Sequence, residues 1–278
     1  MENLKPGRMR DSIRPRRRSI HIVRCIAVLC CLVFIAAGRS ASAGINTWTS
    51  NGPGSGQEIR ALAADPTTPG TLYAGADNGV FASSNGGATW RAASKGLPTG
   101  SAVFALAPNP TKPGLLYVGT NSNGVFKSTN GGDTWEAANI GVGNIVTALA
   151  VDPNTPGLLY AGTLFSHGVF KSTNGAGTWN PADAGLFPNV LALAIDPITP
   201  AMIYAGTGTF HGPGAGIFKS TDASETWNPA NKGIPDTAIQ ALAIDPVAPS
   251  TLYAGTADSG VFKSTDAGAT WRSIDTGL

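Results

Sequence analysis

Trp48, Trp90, Trp135, Trp179, Trp227 and Trp271 are separated by 42, 45, 44, 48 and 44 residues, and the text between them recurs in one fixed order. A period of roughly 20 to 50 residues means repeated units, none of which can bury its apolar face alone. Each copy opens with a short apolar segment, IRALAADP at 59–66, with counterparts at 104–110, 147–153, 191–197 and 240–246. LYAG or a near copy follows from Leu72, Leu116, Leu159, Ile203 and Leu252, then GVF or GIF from Gly79, Gly124, Gly168, Gly216 and Gly260, then a polar turn ending in Thr-Trp. Four short β-rich pieces joined by Gly, Pro, Asn and Asp turns predict one up-and-down sheet of strands A to D. No window shows an apolar 3.6-residue period, which excludes a helical solenoid.

Pro66, Pro110, Pro153, Pro197 and Pro246 close strand A, because proline cannot donate to a ladder. Small residues dominate strand A, whereas Tyr and Phe occupy B and C and Trp follows in D. That gradient fits wedge-shaped blades, narrow at a crowded axis and bulky outside, in an all-β propeller of about five four-stranded blades. The repeats run 57–98, 99–144, 145–187, 188–236 and 237–278, preceded by an extra D-like strand at 44–50 that carries Trp48. Six D-like pieces against five of everything else leave two readings. Either five blades close into a ring, favoured because an open edge exposes apolar surface, or the ring is incomplete or pairs with another copy.

The C–D turns read SSNGGATW, STNGGDTW, STNGAGTW, STDASETW and STDAGATW. They resemble the Asp-box or BNR repeat, S-x-D-x-G-x-T-W, of sialidases and many other propellers. In this motif Asn85, Asn130, Asn174, Asp222 or Asp266 accepts backbone N–H groups, glycine supplies positive φ, and Trp90, Trp135, Trp179, Trp227 or Trp271 plugs the gap to the neighbouring sheet. The role is structural. Ala176 and Ser224 stand in the glycine position and predict looser turns in those copies.

Upstream, Arg14, Arg16, Arg17, Arg18 and Arg24 precede an apolar run from Cys25 to Gly38, and Ala41-Ser42-Ala43 offers a cleavage site. Residues 1–43 therefore read as a signal peptide, since fourteen apolar residues fall short of the ~20 needed to span a bilayer. Secretion, or residence in a periplasm or cell envelope, follows. Nine of the nineteen basic residues and two of the seventeen acidic ones precede residue 44, leaving ten against fifteen and a net charge of −5. An acidic domain argues against nucleic acid as partner. All three cysteines lie before residue 44, so thiol chemistry and disulfides are excluded from the mature domain.

Variation marks the face bearing the B–C loops. There Phe165, His167, Phe210 and His211 depart from the repeat on adjacent blades, a surface suited to sugars or peptide side chains. Two histidines without cysteine make no metal site, and no cofactor is implied. Glu58, Asp77 and Asp258 approach one another at the same face if the ring closes, and a carboxylate pair there could hydrolyse a glycoside. Arg60, Phe104, Thr147, Leu191 and Gln240, which begin strand A, are expected to line the channel mouth.

The resemblance to sialidases stops at the fold. Sialidases need three arginines on the substrate carboxylate and a Tyr–Glu nucleophile. Arg91 and Arg272 both follow a blade Trp, and all five tyrosines (Tyr73, Tyr117, Tyr160, Tyr204, Tyr253) hold the strand-B position. The texture is also similar to xyloglucanase-type glycoside hydrolases, sortilin-type propellers and photosystem II assembly factors. The expected function is an exported, non-catalytic binding or scaffolding propeller for a glycan or protein. The alternative is a small glycoside hydrolase.

Overall fold

In a computed structural model of the chain, residues 52–53, 57–165, 168–186, 189–208, 216–235 and 237–276 are described. The leader at 1–43, the strand at 44–50 with Trp48, and His167, Phe210 and His211 lie outside them.

Twenty strands form five sheets. The first is β1 (Ile59–Ala64), β2 (Leu72–Ala76), β3 (Gly79–Ser83) and β4 (Arg91–Ala92), and the second β5 (Val103–Pro108), β6 (Leu116–Thr120), β7 (Val125–Ser128) and β8 (Glu136–Ala137). The third is β9 (Val146–Val151), β10 (Leu159–Thr163), β11 (Val169–Ser172) and β12 (Asn180–Pro181). The fourth is β13 (Val190–Ile195), β14 (Ile203–Thr207), β15 (Gly216–Ser220) and β16 (Asn228–Pro229), and the fifth β17 (Ile239–Ile244), β18 (Leu252–Thr256), β19 (Val261–Ser264) and β20 (Arg272–Ser273). Within each sheet consecutive strands pair antiparallel with no crossover, so each is one A–B–C–D blade. The chain is an all-β, five-blade β-propeller. Strand A of each blade runs beside strand A of the next, from β1 through β5, β9 and β13 to β17.

Local chemistry explains where the strands stop. At the end of strand A, Asp65, Asn109, Asp152, Asp196 and Asp245 each accept backbone N–H groups from the residues just past the proline, as in Asp196 Oδ1 with Ile198 N at 2.8 Å and Thr199 N at 2.9 Å. Such an Asx turn replaces the ladder bonds that proline removes. In the C–D turns a serine hydroxyl accepts the N–H four residues on, and an Asn or Asp oxygen accepts the N–H of the threonine before Trp. The two copies without glycine are not looser. Ala176 N to Ser172 Oγ is 3.0 Å and Ser224 N to Ser220 Oγ is 2.9 Å, matching 2.9 Å for Gly87 N to Ser83 Oγ. Ala176 and Ser224 instead accept left-handed backbone, φ 68° and 73°, which costs a non-glycine residue about 1–2 kcal/mol.

Asp222 and Asp266 carry a charge that Asn85, Asn130 and Asn174 do not. The Thr226 and Thr270 hydroxyls, then their backbone N–H groups and the Ser220 and Ser264 hydroxyls, hold these carboxyls down at about 2. An unfolded Asp titrates near ~3.9. The stability these two add is therefore present above about pH 4 and lost as pH falls towards about 2. The double variant Asp222→Asn, Asp266→Asn is expected to flatten this acid limb, read as the urea midpoint between about pH 5 and 2.

The core lies between blades. One face of each sheet, here called outgoing, presents the strand-B tyrosine and a β-branched residue of strand C. Against it the next blade sets its strand-C phenylalanine, its Trp and the start of strand B. Tyr160 and Val169 thus pack on Val190, Ile203, Phe218 and Trp227. The same core recurs between blades 1 and 2, 2 and 3, and 4 and 5. Trp135, Trp179, Trp227 and Trp271, each 3% exposed, donate the indole N–H to Ala93, Ala138, Ala182 and Ala230 of the preceding blade at 2.7–2.9 Å. These Trp residues are the plugs between sheets.

No fifth core of this kind occurs among the described residues. The strand-A contacts that join successive blades do not recur between β17 and β1. Phe81, Trp90 and all of β1 on the incoming side of blade 1 are only half-buried, as is Tyr253 on the outgoing side of blade 5. Trp90 donates to Gly87 O of its own turn at 3.1 Å. Among the described residues, then, the interlocked core that joins the other four pairs of neighbouring blades is not repeated between blades 5 and 1.

Candidate functional site

The B–C loops and the starts of strand A share one face, and the residues there separate into three groups. In blade 3, Leu164 and Phe165 follow β10. Leu164 is buried with Leu191 and Ala238, and Ile145 and Ala257 pack against them, so one apolar cluster ties blades 3, 4 and 5 together. Phe165 turns the other way. Its backbone is left-handed, φ 59°, its N–H donates to Asn189 Oδ1 at 3.0 Å, and its side chain is 78% exposed. Leu164 N also donates to Ile145 O at 3.1 Å, so the loop is held on both sides of the bend.

In blade 1, Arg60 gathers two of the predicted carboxylates. Its Nη2 donates to Glu58 Oε2 at 3.0 Å and its Nε to Asp77 Oδ1, while the guanidinium lies 5.3 Å from the centre of the Phe104 ring of blade 2. The Arg60 side chain is about a quarter exposed and the two carboxylates nearly half. Pairs this wet contribute about 0–1 kcal/mol each. What the network supplies is orientation, with a cation, two anions and an aromatic ring in one fixed arrangement.

Asp258 stands apart. It is exposed in the B–C loop of blade 5, whose shape is set by Thr256: its hydroxyl donates to Gly260 O and accepts from Ser259 N, both at 2.9 Å. Among the described residues no ion pair joins Asp258 to the Arg60 network. Glu58 and Asp77 are bridged by a shared guanidinium.

The strand-A starters do not all line an opening. Thr147 is buried, donating to Val190 O and to Gly162 O at 3.2 Å, and Leu191 belongs to the apolar cluster. Sequence reasoning missed Asn189, which holds the Phe165 bend, and the stacking of Arg60 on Phe104. A single Asn before strand A carries no pattern signal, and the Arg–Phe contact joins residues of two blades.

Among the described residues no group of three His, Cys, Asp or Glu side chains could hold a metal ion, and no helix is long and apolar enough to cross a membrane.

No family model matches the chain, and no curated protein does. Solved structures do. The GH74 enzyme of Niastella koreensis is 23% identical with a TM-score of 0.65, covering 77% of this chain and 38% of that one. The extracellular domain of the BT4673 hybrid two component system from B. thetaiotaomicron is 16% identical, TM-score 0.61, covering 80% of this chain and 28% of that one. YCF48 bound to D1 peptide is 13% identical, TM-score 0.51, covering 73% and 64%. This chain spans less than two thirds of the length of each, and at such identities the likeness is one of fold.

Proposed function

We propose that the chain is an exported, non-catalytic propeller that binds a glycan or protein on its B–C face, with Phe165, His167, Phe210, His211 and Arg60 as the contacting residues. The observation that carries this reading is Phe165. Burying a phenylalanine yields about 1.5–3 kcal/mol, and a left-handed non-glycine backbone costs about 1–2 more, so holding this ring in water on a braced loop runs against folding stability. A rigid exposed ring is the usual platform for a sugar face or a peptide side chain. Similarity in fold to a GH74 enzyme, to an extracellular domain and to a propeller bound to a peptide supports both the ligand classes and the export.

The network of Arg60, Glu58 and Asp77 serves the same reading as a polar contact beside the ring of Phe104. Its carboxylates already accept from Arg60, which suits hydrogen bonding to hydroxyls or amides better than proton transfer.

The test is capture of polysaccharides and peptides by the purified protein. Phe165→Ala is expected to weaken the ligand found by about tenfold or more while leaving the melting temperature unchanged. Unchanged affinity rejects the assignment. Turnover of a glycan that disappears in Glu58→Gln, Asp77→Asn or Asp258→Asn would replace the binder by the hydrolase.

A further inference from the structure

Four of the five blades carry a lysine after the strand-C phenylalanine, namely Lys127, Lys171, Lys219 and Lys263. At three junctions this lysine reaches the C–D turn of the next blade, where Lys127 Nζ donates to Gly175 O at 3.1 Å, Lys171 Nζ to Ala223 O at 2.9 Å and Lys219 Nζ to Ala267 O at 3.0 Å. Strand-B tyrosines lie beneath, with Lys127 Nζ 5.8 Å from the centre of the Tyr117 ring and Lys219 Nζ 5.4 Å from that of Tyr204. A turn carbonyl and an aromatic face thus receive a primary ammonium, which donates to the first and is attracted by the negative face of the second.

Blade 1 departs from the pattern. Its strand C reads GVFAS, so Ala82 stands where the other four have lysine. The receiving surfaces are kept, for Tyr73 pairs with Ala82 across the strands and the turn of blade 2 carries Gly131 at the position of Gly175, Ala223 and Ala267. A Cβ at Gly131 would meet the Tyr73 Oη alone, at 3.6 Å, whereas one at Gly175 would meet both Tyr117 Oη and Lys127 Nζ, at 3.8 and 3.7 Å. Beside Ala82 lies a cleft of about 400 Å³, lined among others by Asp65, Tyr73, Pro113 and Gly131, a size within the range of small-molecule sites. Arg91 also lines it, but its side chain is more than half exposed and donates to Asp133 Oδ1 at 2.7 Å. That pair is neutral in sum, so the carboxylate of Asp65, only 5% exposed, sets the sign of the cleft.

We propose that the cleft between blades 1 and 2 receives the side chain of a lysine from a partner polypeptide, along the course that Lys127, Lys171 and Lys219 take within the chain. The aliphatic stem lies over Tyr73, the ammonium donates to Gly131 O, and the Asp65 carboxylate supplies the counter-charge. The lysine junctions define the occupant, because what these surfaces hold there is an ammonium on a flexible four-carbon stem. The cleft lies among the A–B and C–D turns, at the opposite end of the blades from Phe165 and Arg60, so it is separate from the site proposed on the B–C face.

Titration of the purified protein with N-acetyl-lysine N-methylamide tests it. The backbone NMR signals of Ala82 and Gly131 are expected to shift with a Kd on the order of 1 mM, and the norleucine analogue, which lacks the ammonium, is expected to bind about tenfold more weakly or worse. Ala82→Lys installs the residue of the other four blades as a tethered competitor and is expected to abolish the shifts without lowering the melting temperature. Asp65→Asn keeps the A–B turn, since Asn109 accepts the same threonine N–H and hydroxyl in blade 2, and is expected to weaken binding about threefold. Equal binding of the norleucine analogue, shifts that survive in Ala82→Lys, affinity unchanged in Asp65→Asn, or binding of glucosamine but not of the lysine compound would each overturn the proposal.

Discussion

Replacing Trp179 with alanine is expected to cost about 3–5 kcal/mol of unfolding free energy, and the same change at Trp90 roughly half of that or less. Trp179 is 3% exposed, packs among Tyr117, Phe170 and Leu159, and donates its indole N–H to Ala138 O at 2.8 Å. Its backbone N–H also donates to Ile140 O, at 2.9 Å. Truncation leaves a cavity that rigid sheets on both sides cannot close, and it orphans the Ala138 carbonyl. Trp90 has the same sequence context and is only half-buried, and its indole N–H reaches Gly87 O of its own turn. Urea unfolding of the two variants decides the matter. Equal losses would mean that blade 1 is packed from behind as tightly as blade 3.

That pair of tryptophans shows what can be read from a repeat and what cannot. Trp90 and Trp179 sit in near-identical text, so nothing local separates them. Their difference arises from position in the array, which depends on the rotation accumulated over five blades. The blades were legible because every strand carries its own punctuation, such as Pro66 and the turn before Trp90, and because five copies agree. The lysine bonds between blades were not, since Lys171 reads as an ordinary polar residue of strand C while its acceptor, Ala223 O in the next blade, lies 52 residues away. At the candidate site the outcome was mixed. Leu164 and Phe165 are adjacent apolar residues in a loop outside the repeat, and only the left-handed φ at Phe165 sends one inward and the other out. Phenylalanine is not a residue that signals such a backbone. His167, Phe210 and His211 lie outside the described residues, so their part in the face rests on the binding experiment.

Gly162→Ala is expected to destabilise the protein by about 1–3 kcal/mol although it adds a single methyl group to a strand. The glycine of LYAGT has no turn to make. A Cβ there would lie 2.6 Å from Val190 Cγ1, 3.1 Å from Val190 Cβ and 3.2 Å from Ala148 Cβ. Gly75, Gly119 and Gly206 meet Val103, Val146 and Ile239 of their following blades at 2.6–2.7 Å. Strand B of one blade therefore touches strand A of the next backbone to side chain, and the missing methyl sets how closely blades approach at the axis. Val190 is fully buried and β-branched, so its χ1 cannot swing away. If this contact is the cause, Val190→Ala should remove part of the penalty when combined with Gly162→Ala, although it is destabilising alone. A double-mutant cycle measures this directly, with a coupling of about 0.5–3 kcal/mol expected. Strict additivity would show that the strand-B glycine is kept for some reason other than the packing of blade on blade.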